Sequence, residues 1–264
     1  MSKVETLRIE NLSIAFGGLK AVDDLSFHIN DGEIYGLIGP NGAGKTTVFN
    51  CITQFYKPDQ GVVKFTTNTD EVVDLVGKKT HNIIGLGLVR TFQNVELIKD
   101  LTILDNVLVG AHIDYKTGLF RNAFLSPKAR KEERETKARA MKVLEFLKIA
   151  DKYLELAGGQ PYGVLKKVEL GRALMSHPKL IVLDEPAAGL NDTETMELAQ
   201  LIRQIRKDYN CSILLVEHDM RLVMDVCDRI CAISFGKKLA EGSPKEIQDS
   251  KIVQEAYLGK EDEE

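Results

Sequence analysis

Apolar and polar side chains alternate along two stretches near the start of the chain, Leu7-Arg8-Ile9-Glu10-Asn11-Leu12-Ser13-Ile14-Ala15-Phe16 and Ala21-Val22-Asp23-Asp24-Leu25-Ser26-Phe27-His28-Ile29. A period of two turns one face to a core and the other to solvent, which predicts half-buried antiparallel strands over residues 6–29. Residues 34–38 and 62–65 read as further strands, the second after the turn sequence Pro58-Asp59-Gln60-Gly61. The polar stretch 66–79 predicts a surface hairpin or loop. From residue 95 to 175 the texture becomes helical. Residues 128–153 carry Ala138, Met141, Leu144 and Leu147 at helical spacing and predict one long helix, with the charged run 128–135 as its solvated face. Leu180-Ile181-Val182-Leu183 and Ser212-Ile213-Leu214-Leu215-Val216 are apolar almost throughout, as strands covered on both faces are. Strands of that kind alternating with helices predict an α/β fold on a buried parallel sheet.

Composition mainly excludes. The chain of 264 residues is long enough for a large hydrophobic interior, and its net charge of −4 offers no basic footprint for nucleic acid. No apolar run approaches the ~20 residues that span a bilayer. Met1-Ser2-Lys3-Val4-Glu5 does not read as a signal peptide. Cys51, Cys211, Cys227 and Cys231 are scattered among apolar neighbours, as reduced thiols are. Cys227 and Cys231 have no histidine near them in sequence and a helix-to-strand change is expected between them, which argues against a metal pair. These signs predict a soluble intracellular protein, and residues 259–264 read as a frayed acidic tail.

One segment carries definite chemistry. Gly39-Pro40-Asn41-Gly42-Ala43-Gly44-Lys45-Thr46-Thr47 follows the apolar run 34–38 and leads into Val48, Phe49 and Ile52, so the order is strand, glycine-rich loop, helix. Glycines let the backbone wrap an anion with its N–H groups pointing inward, and the helix adds its positive end. The pattern G-x-x-x-x-G-K-[ST] in that setting is a phosphate cradle. Lys45 is expected to reach the β- and γ-phosphates of a nucleoside triphosphate, and Thr46 to ligate Mg2+.

Leu183-Asp184-Glu185-Pro186 ends an apolar strand, the place where a parallel sheet puts its ligand chemistry. Asp184 is expected to hold Mg2+ and Glu185 to orient or deprotonate the attacking water. His218, in Val216-Glu217-His218-Asp219, also lies just past an apolar strand. A lone histidine is usually structural, but this position favours a γ-phosphate sensor. Gln93, in Arg90-Thr91-Phe92-Gln93-Asn94, stands where sheet gives way to helix.

In this order and spacing the four elements resemble the ATP-binding subunit of ABC transporters, over residues 6–259. The resemblance implies an ABC-type P-loop ATPase core, mostly parallel, over residues 6–94 and 176–259, with an N-terminal antiparallel β subdomain. A helical subdomain, 95–175, is inserted, and 260–264 is a tail. It further implies that Phe16 stacks on adenine and that residues 39–47 bind ATP. Glu185, His218 and Lys45 become the catalytic groups, and Gln93 touches both Mg2+ and the membrane partner. Residues 187–191 become the D-loop, and a second ATP-binding subunit completes a hetero- or homodimer. The implied partners are that subunit, transmembrane permease subunits and, indirectly, a solute-binding protein, at the cytoplasmic face of the membrane. Within the family, residues 15–22, 88–93, 184–191 and 216–220, the insertion at 113–140 and the ending Ala256-Tyr257-Leu258-Gly259 are similar to the larger ATPase subunit of branched-chain amino acid uptake systems. Importers of urea or short amides, lipopolysaccharide export and soluble non-transport ABC ATPases are the alternatives.

ABC proteins also carry a signature, L-S-G-G-Q, at a helix start, where it acts on the ATP held by the opposite subunit. Leu156-Ala157-Gly158-Gly159-Gln160 looks like a match. Counting back from Asp184 by the family's spacing gives Gln160-Pro161-Tyr162-Gly163-Val164 instead, leading into a segment that matches the usual helix. Proline suits a first helical turn, where its missing N–H is not needed. The expectation is therefore a signature at Pro161, Tyr162 and Gly163 that lacks both the serine hydroxyl and the glutamine.

Overall fold

The computed structural model describes residues 4–91, 96–114 and 127–258. β1 (Glu5–Phe16) and β2 (Leu19–Asn30) form the expected antiparallel pair, and alternate residues of each are buried. β3 (Ile34–Ile38) leads through the glycine-rich loop to α1 (Lys45–Ile52). β4 (Gln60–Thr66) returns to pair with β1, and β5 (Val72–Asp74) pairs with β4 as a hairpin, giving a four-stranded sheet in the order β2-β1-β4-β5.

After α2 (Thr80–Gly85), β6 (Leu88–Arg90) joins a second sheet with β7 (Leu180–Asp184), β8 (Ser212–Val216), β9 (Arg229–Ser234) and β10 (Lys237–Gly242). Its order is β10-β9-β3-β8-β7-β6, parallel except for the β9–β10 edge pair. The apolar strands divide their side chains strictly between two cores. Tyr35, Leu37, Val182, Leu214, Val216 and Cys231 face the antiparallel sheet and α1. Ile34, Ile38, Ile181, Leu183, Ile213, Leu215 and Ile230 face the helices instead. Those helices are α3 (Ile103–Val109), α4 (Pro127–Phe146) and α5 (Tyr162–Leu174), inserted between β6 and β7, with α6 (Asp192–Asp208) and α7 (Met220–Val226). Two short helices, α8 (Pro244–Gln248) and α9 (Lys251–Leu258), close the described chain. All four cysteines are buried and free.

One expectation is corrected. The helix expected over 128–153 ends at Phe146. Lys148 takes a left-handed backbone (φ 58°), the Ile149 N–H donates to the Leu144 carbonyl at 3.0 Å, and that of Lys148 donates to Glu145 at 3.0 Å. This is the closing geometry usually built on glycine, and Leu147 is buried just outside the helix. Gln93 and the tail 260–264 lie outside the described residues, as does part of the 113–140 insertion.

The helical layer is tight where α3 meets α5. A Cβ at Gly110 would collide with the Arg172 carbonyl oxygen and lie 3.0 Å from Met175 Cβ. Gly110→Ala should therefore destabilise the protein by about 2 kcal/mol or more, as overpacking does. Gly85→Ala, in a helix with open space around it, should be neutral or stabilising by up to about 1 kcal/mol. Urea denaturation of both variants measures the difference, and equal midpoints would refute the close approach.

Candidate nucleotide site

In the parallel sheet β8 lies between β3 and β7, and β6 lies beyond β7, so the carboxyl ends of four neighbouring strands form one edge. That edge carries the glycine-rich loop after β3, Glu217 and His218 after β8, Asp184 and Glu185 at β7, and Arg90 and Thr91 at β6. The residues singled out from sequence at 39–47, 184, 185 and 218 thus come together, although Gly39 and His218 are 179 positions apart in the sequence.

The loop is held from outside by backbone. Gly39 packs so closely on the Ile233 carbonyl that a Cβ there would overlap it. The Gly236 N–H, in the β9–β10 turn, donates to the Ala43 carbonyl at 2.9 Å, and the Asp23 N–H of β2 donates to the Gly236 carbonyl at 2.9 Å. Lys45 is buried, and its Nζ donates to the carbonyls of Gly39 at 2.6 Å and Pro40 at 3.1 Å. α1 begins with no side-chain cap and no acidic residue in its first turn. Its first N–H groups have no intrahelical acceptor, so the end suits an anion. Thr46 is exposed at that end and Thr47 is half-buried behind it.

Asp184 is buried, which pushes its carboxyl above the usual range, while the Arg90 guanidinium opposes that at 3.4 Å. Arg90 is itself depressed, chiefly by burial. Its guanidinium lies 4.1 Å from the centroid of Phe49 and donates to Asn50 Oδ1 at 2.8 Å, tying β6 to α1. The Thr46 hydroxyl and the Asp184 carboxylate are hard oxygen donors of the kind Mg2+ takes alongside substrate phosphates. Among the described residues no cluster of three metal-binding side chains exists.

Glu185 has a left-handed backbone (φ 47°), which a residue with a Cβ seldom adopts. Its N–H donates to the Val216 carbonyl at 2.8 Å, and its Oε1 faces His218 Nε2 at 2.6 Å. Glu217, between the two strands, is 3 % exposed and accepts backbone N–H groups from both sides. Neither Arg90 nor Glu217 was singled out from sequence. Their only signals are their neighbours, Arg90 three positions before Gln93 and Glu217 next to His218.

Phe16, half exposed at the β1–β2 turn, meets the ring of Tyr56 edge-on at 5.3 Å. Pro161 is the residue before α5, without a side-chain cap, and its carbonyl accepts the N–H groups of Val164 at 2.9 Å and Leu165 at 3.1 Å. Tyr162 packs on Gly189, where a Cβ would be 3.2 Å from its ring, and one at Gly163 would be 3.0 Å from Glu194 Oε1. Their neighbours thus belong to the 187–191 segment and α6. The glycine pair of Leu156-Ala157-Gly158-Gly159-Gln160 precedes the helix, where Ala157 and Gly158 donate to the carbonyls of Leu101 and Lys99, each at 2.9 Å.

The family model for ABC transporters matches residues 22–188, and one described as branched-chain amino acid ATP-binding cassette transporter matches residues 237–263. The high-affinity branched-chain amino acid transport ATP-binding proteins LivG of Salmonella typhimurium and BraF of Pseudomonas aeruginosa are 43 % and 42 % identical over 253 residues, covering 96 % of this chain and 97 % of theirs. A crystal structure of the ADP conformation of an ATP-binding cassette of an ABC transporter superposes with a TM-score of 0.83 at 35 % identity, covering 97 % of this chain and 99 % of that one. With matches of that breadth in both sequence and fold, the chain belongs to the ABC transporter family, as one of its ATP-binding cassettes.

Proposed function

We propose that this chain is the ATP-hydrolysing subunit of an importer for branched-chain amino acids. The observation that carries the catalytic part is the Glu185–His218 pair, held 2.6 Å apart on the sheet edge that bears the phosphate loop. The names of the LivG and BraF relatives, and the family match over residues 237–263, support the solute. In this reading residues 6–94 and 176–259 are the ATP-binding core and 95–175 the helical part. No helix among the described residues is long and apolar enough to cross a membrane. The proposed setting is therefore peripheral, at the cytoplasmic face, beside a second ATP-binding subunit and transmembrane permease subunits, with a solute-binding protein acting indirectly.

Chemically, residues 39–44 wrap the β-phosphate with backbone N–H groups, and the Lys45 ammonium reaches the β- and γ-phosphate oxygens. Thr46, Asp184 and Gln93 are the groups that would hold Mg2+, which neutralises charge on the β- and γ-phosphates. Phe16 offers a ring face to adenine. Glu185 accepts a proton from, or orients, the water that attacks the γ-phosphorus in line. His218, paired with that carboxylate, holds it in place and senses the γ-phosphate. Pro161, Tyr162 and Gly163 would act on the ATP of the second subunit, presenting first-turn N–H groups but no hydroxyl.

Glu185→Gln should retain ATP binding while lowering turnover at least ~10²-fold, the usual effect of losing a general base. Lys45→Ala should instead weaken binding itself, which titration with a fluorescent ATP analogue separates from turnover. Near-normal turnover of Glu185→Gln in the assembled complex would remove the role given to Glu185.

Coupling to the permease is expected at Gln93 and the neighbouring helical part, where Ile98, Leu154 and Leu156 are exposed apolar side chains. A cysteine at Ile98 should cross-link to a cytoplasmic helix of the permease, against a background of four buried native thiols. Cross-links from the C-terminal segment alone would relocate the coupling face.

The missing serine hydroxyl predicts asymmetry in a heterodimer. Losing one preorganised donor costs on the order of 3 kcal/mol, or ~10²-fold in rate. The site with Lys45, Glu185 and His218, facing an intact partner signature, should then carry most of the hydrolysis. If Lys45→Ala leaves more than half the rate while the partner's equivalent change abolishes it, the asymmetry runs the other way. Equal losses would mean that Tyr162 and Gly163 suffice and both sites fire.

A further inference from the structure

The ladder between β7 and β8 ends at the pair Asp184 and Val216. One more backbone bond, from Glu185 N–H to the Val216 carbonyl, follows before the chains part. Beyond that point the Glu217 side chain continues the backbone connection. Glu217 Oε1 accepts the Ala187 N–H at 2.7 Å, and Oε2 accepts the N–H groups of His218 at 2.6 Å and Asp219 at 3.0 Å. The carboxylate thus grips the chain two residues after Glu185 and, with its other oxygen, the backbone of His218 itself. Asp219 is fixed in turn as the N-cap of α7, accepting from the N–H groups of Arg221 and Leu222.

We infer that Glu217 is a positioning residue for hydrolysis, whose carboxylate locks the 185–188 backbone to the 217–219 backbone and so fixes the approach of His218 to Glu185. The inference rests on the ATPase reading above and extends it to a residue that touches neither substrate nor metal. Three points favour it over a simple packing role. The group is 3 % exposed, yet it is an acid rather than an apolar side chain, which only strong compensation allows. All three of its partners are donors, so a carboxylate fits and a carboxamide does not: an –NH2 group would confront at least one N–H. Finally, the two segments it joins are those bearing the reacting pair and the 187–191 segment, on which Tyr162 packs. A movement of 187–191 would therefore reach the His218 backbone through one carboxylate.

The test uses Glu217→Gln, nearly isosteric, in the complete complex with its partner subunits. Its kcat for ATP should fall about tenfold or more, since displacements of an ångström or less are costly near the reacting atoms. The Kd for ATP should stay within about twofold of wild type. In a His218→Ala background the same change should have almost no further effect, because the geometry it protects is already lost. An unchanged kcat overturns the inference. So does a loss in both Kd and kcat that multiplies with His218→Ala, the mark of general structural damage. Where the amide variant does not assemble, Glu217→Asp retains the charge but shortens the reach, and the same outcomes decide. A wild-type complex without ATPase activity would instead sink the ATPase reading itself.

Discussion

The register of strand β8 is the constraint on which the site depends. Val216 lies opposite Leu37 of β3 on one side and Asp184 of β7 on the other. That double pairing sets the start of the phosphate loop, the Asp184–Glu185 pair and His218 at one height along the sheet. A slip of one residue would reverse the facing of the strand's side chains and carry Glu217 and His218 to the wrong surfaces. Such a slip is resisted from both faces. Leu214 and Val216 belong to the core against α1 and the antiparallel sheet, while Ile213 and Leu215 belong to the core against the helices. With both faces buried and apolar, the fit of side-chain shapes in the two cores, rather than polarity, holds the strand in this register.

That packing also explains how charged groups survive at the edge. Lys45, Asp184 and Glu217 are all buried. Each has a partner suited to its charge: carbonyls for the ammonium, a guanidinium for Asp184, backbone N–H groups for Glu217. An isolated buried charge costs many kcal/mol, so these pairings are a condition of folding as much as of chemistry. Arg90 shows the economy of the arrangement, since the one group opposes the desolvation of Asp184 and anchors on Phe49 and Asn50 of α1.

Much of this was legible in the residues, for reasons that can be named. The antiparallel pair and the apolar strands announce themselves because burial imposes period two or none at all. The phosphate loop and the Asp184-Glu185 strand end are readable because their chemistry requires particular residues at short spacing. Other elements lacked such a signal. β6 is three residues long, too short for periodicity. The end of α4 at Phe146 was missed because Lys148, not glycine, supplies the left-handed closure. Glu217 and Arg90 depend on partners 30 and 94 positions away, the Ala187 N–H and the Asp184 carboxylate. No local pattern encodes a contact of that kind.

Lys45 also shapes the loop that presents it. Its Nζ donates to the Gly39 and Pro40 carbonyls, so the residue that ends the glycine-rich segment ties back to the residues that begin it. The segment thus becomes a ring closed by one side chain, and its curvature depends on the reach of that chain. A guanidinium in place of the ammonium would keep the charge but, being planar and forked, could not converge on both carbonyls in the same way. The position therefore selects lysine by form as well as by charge.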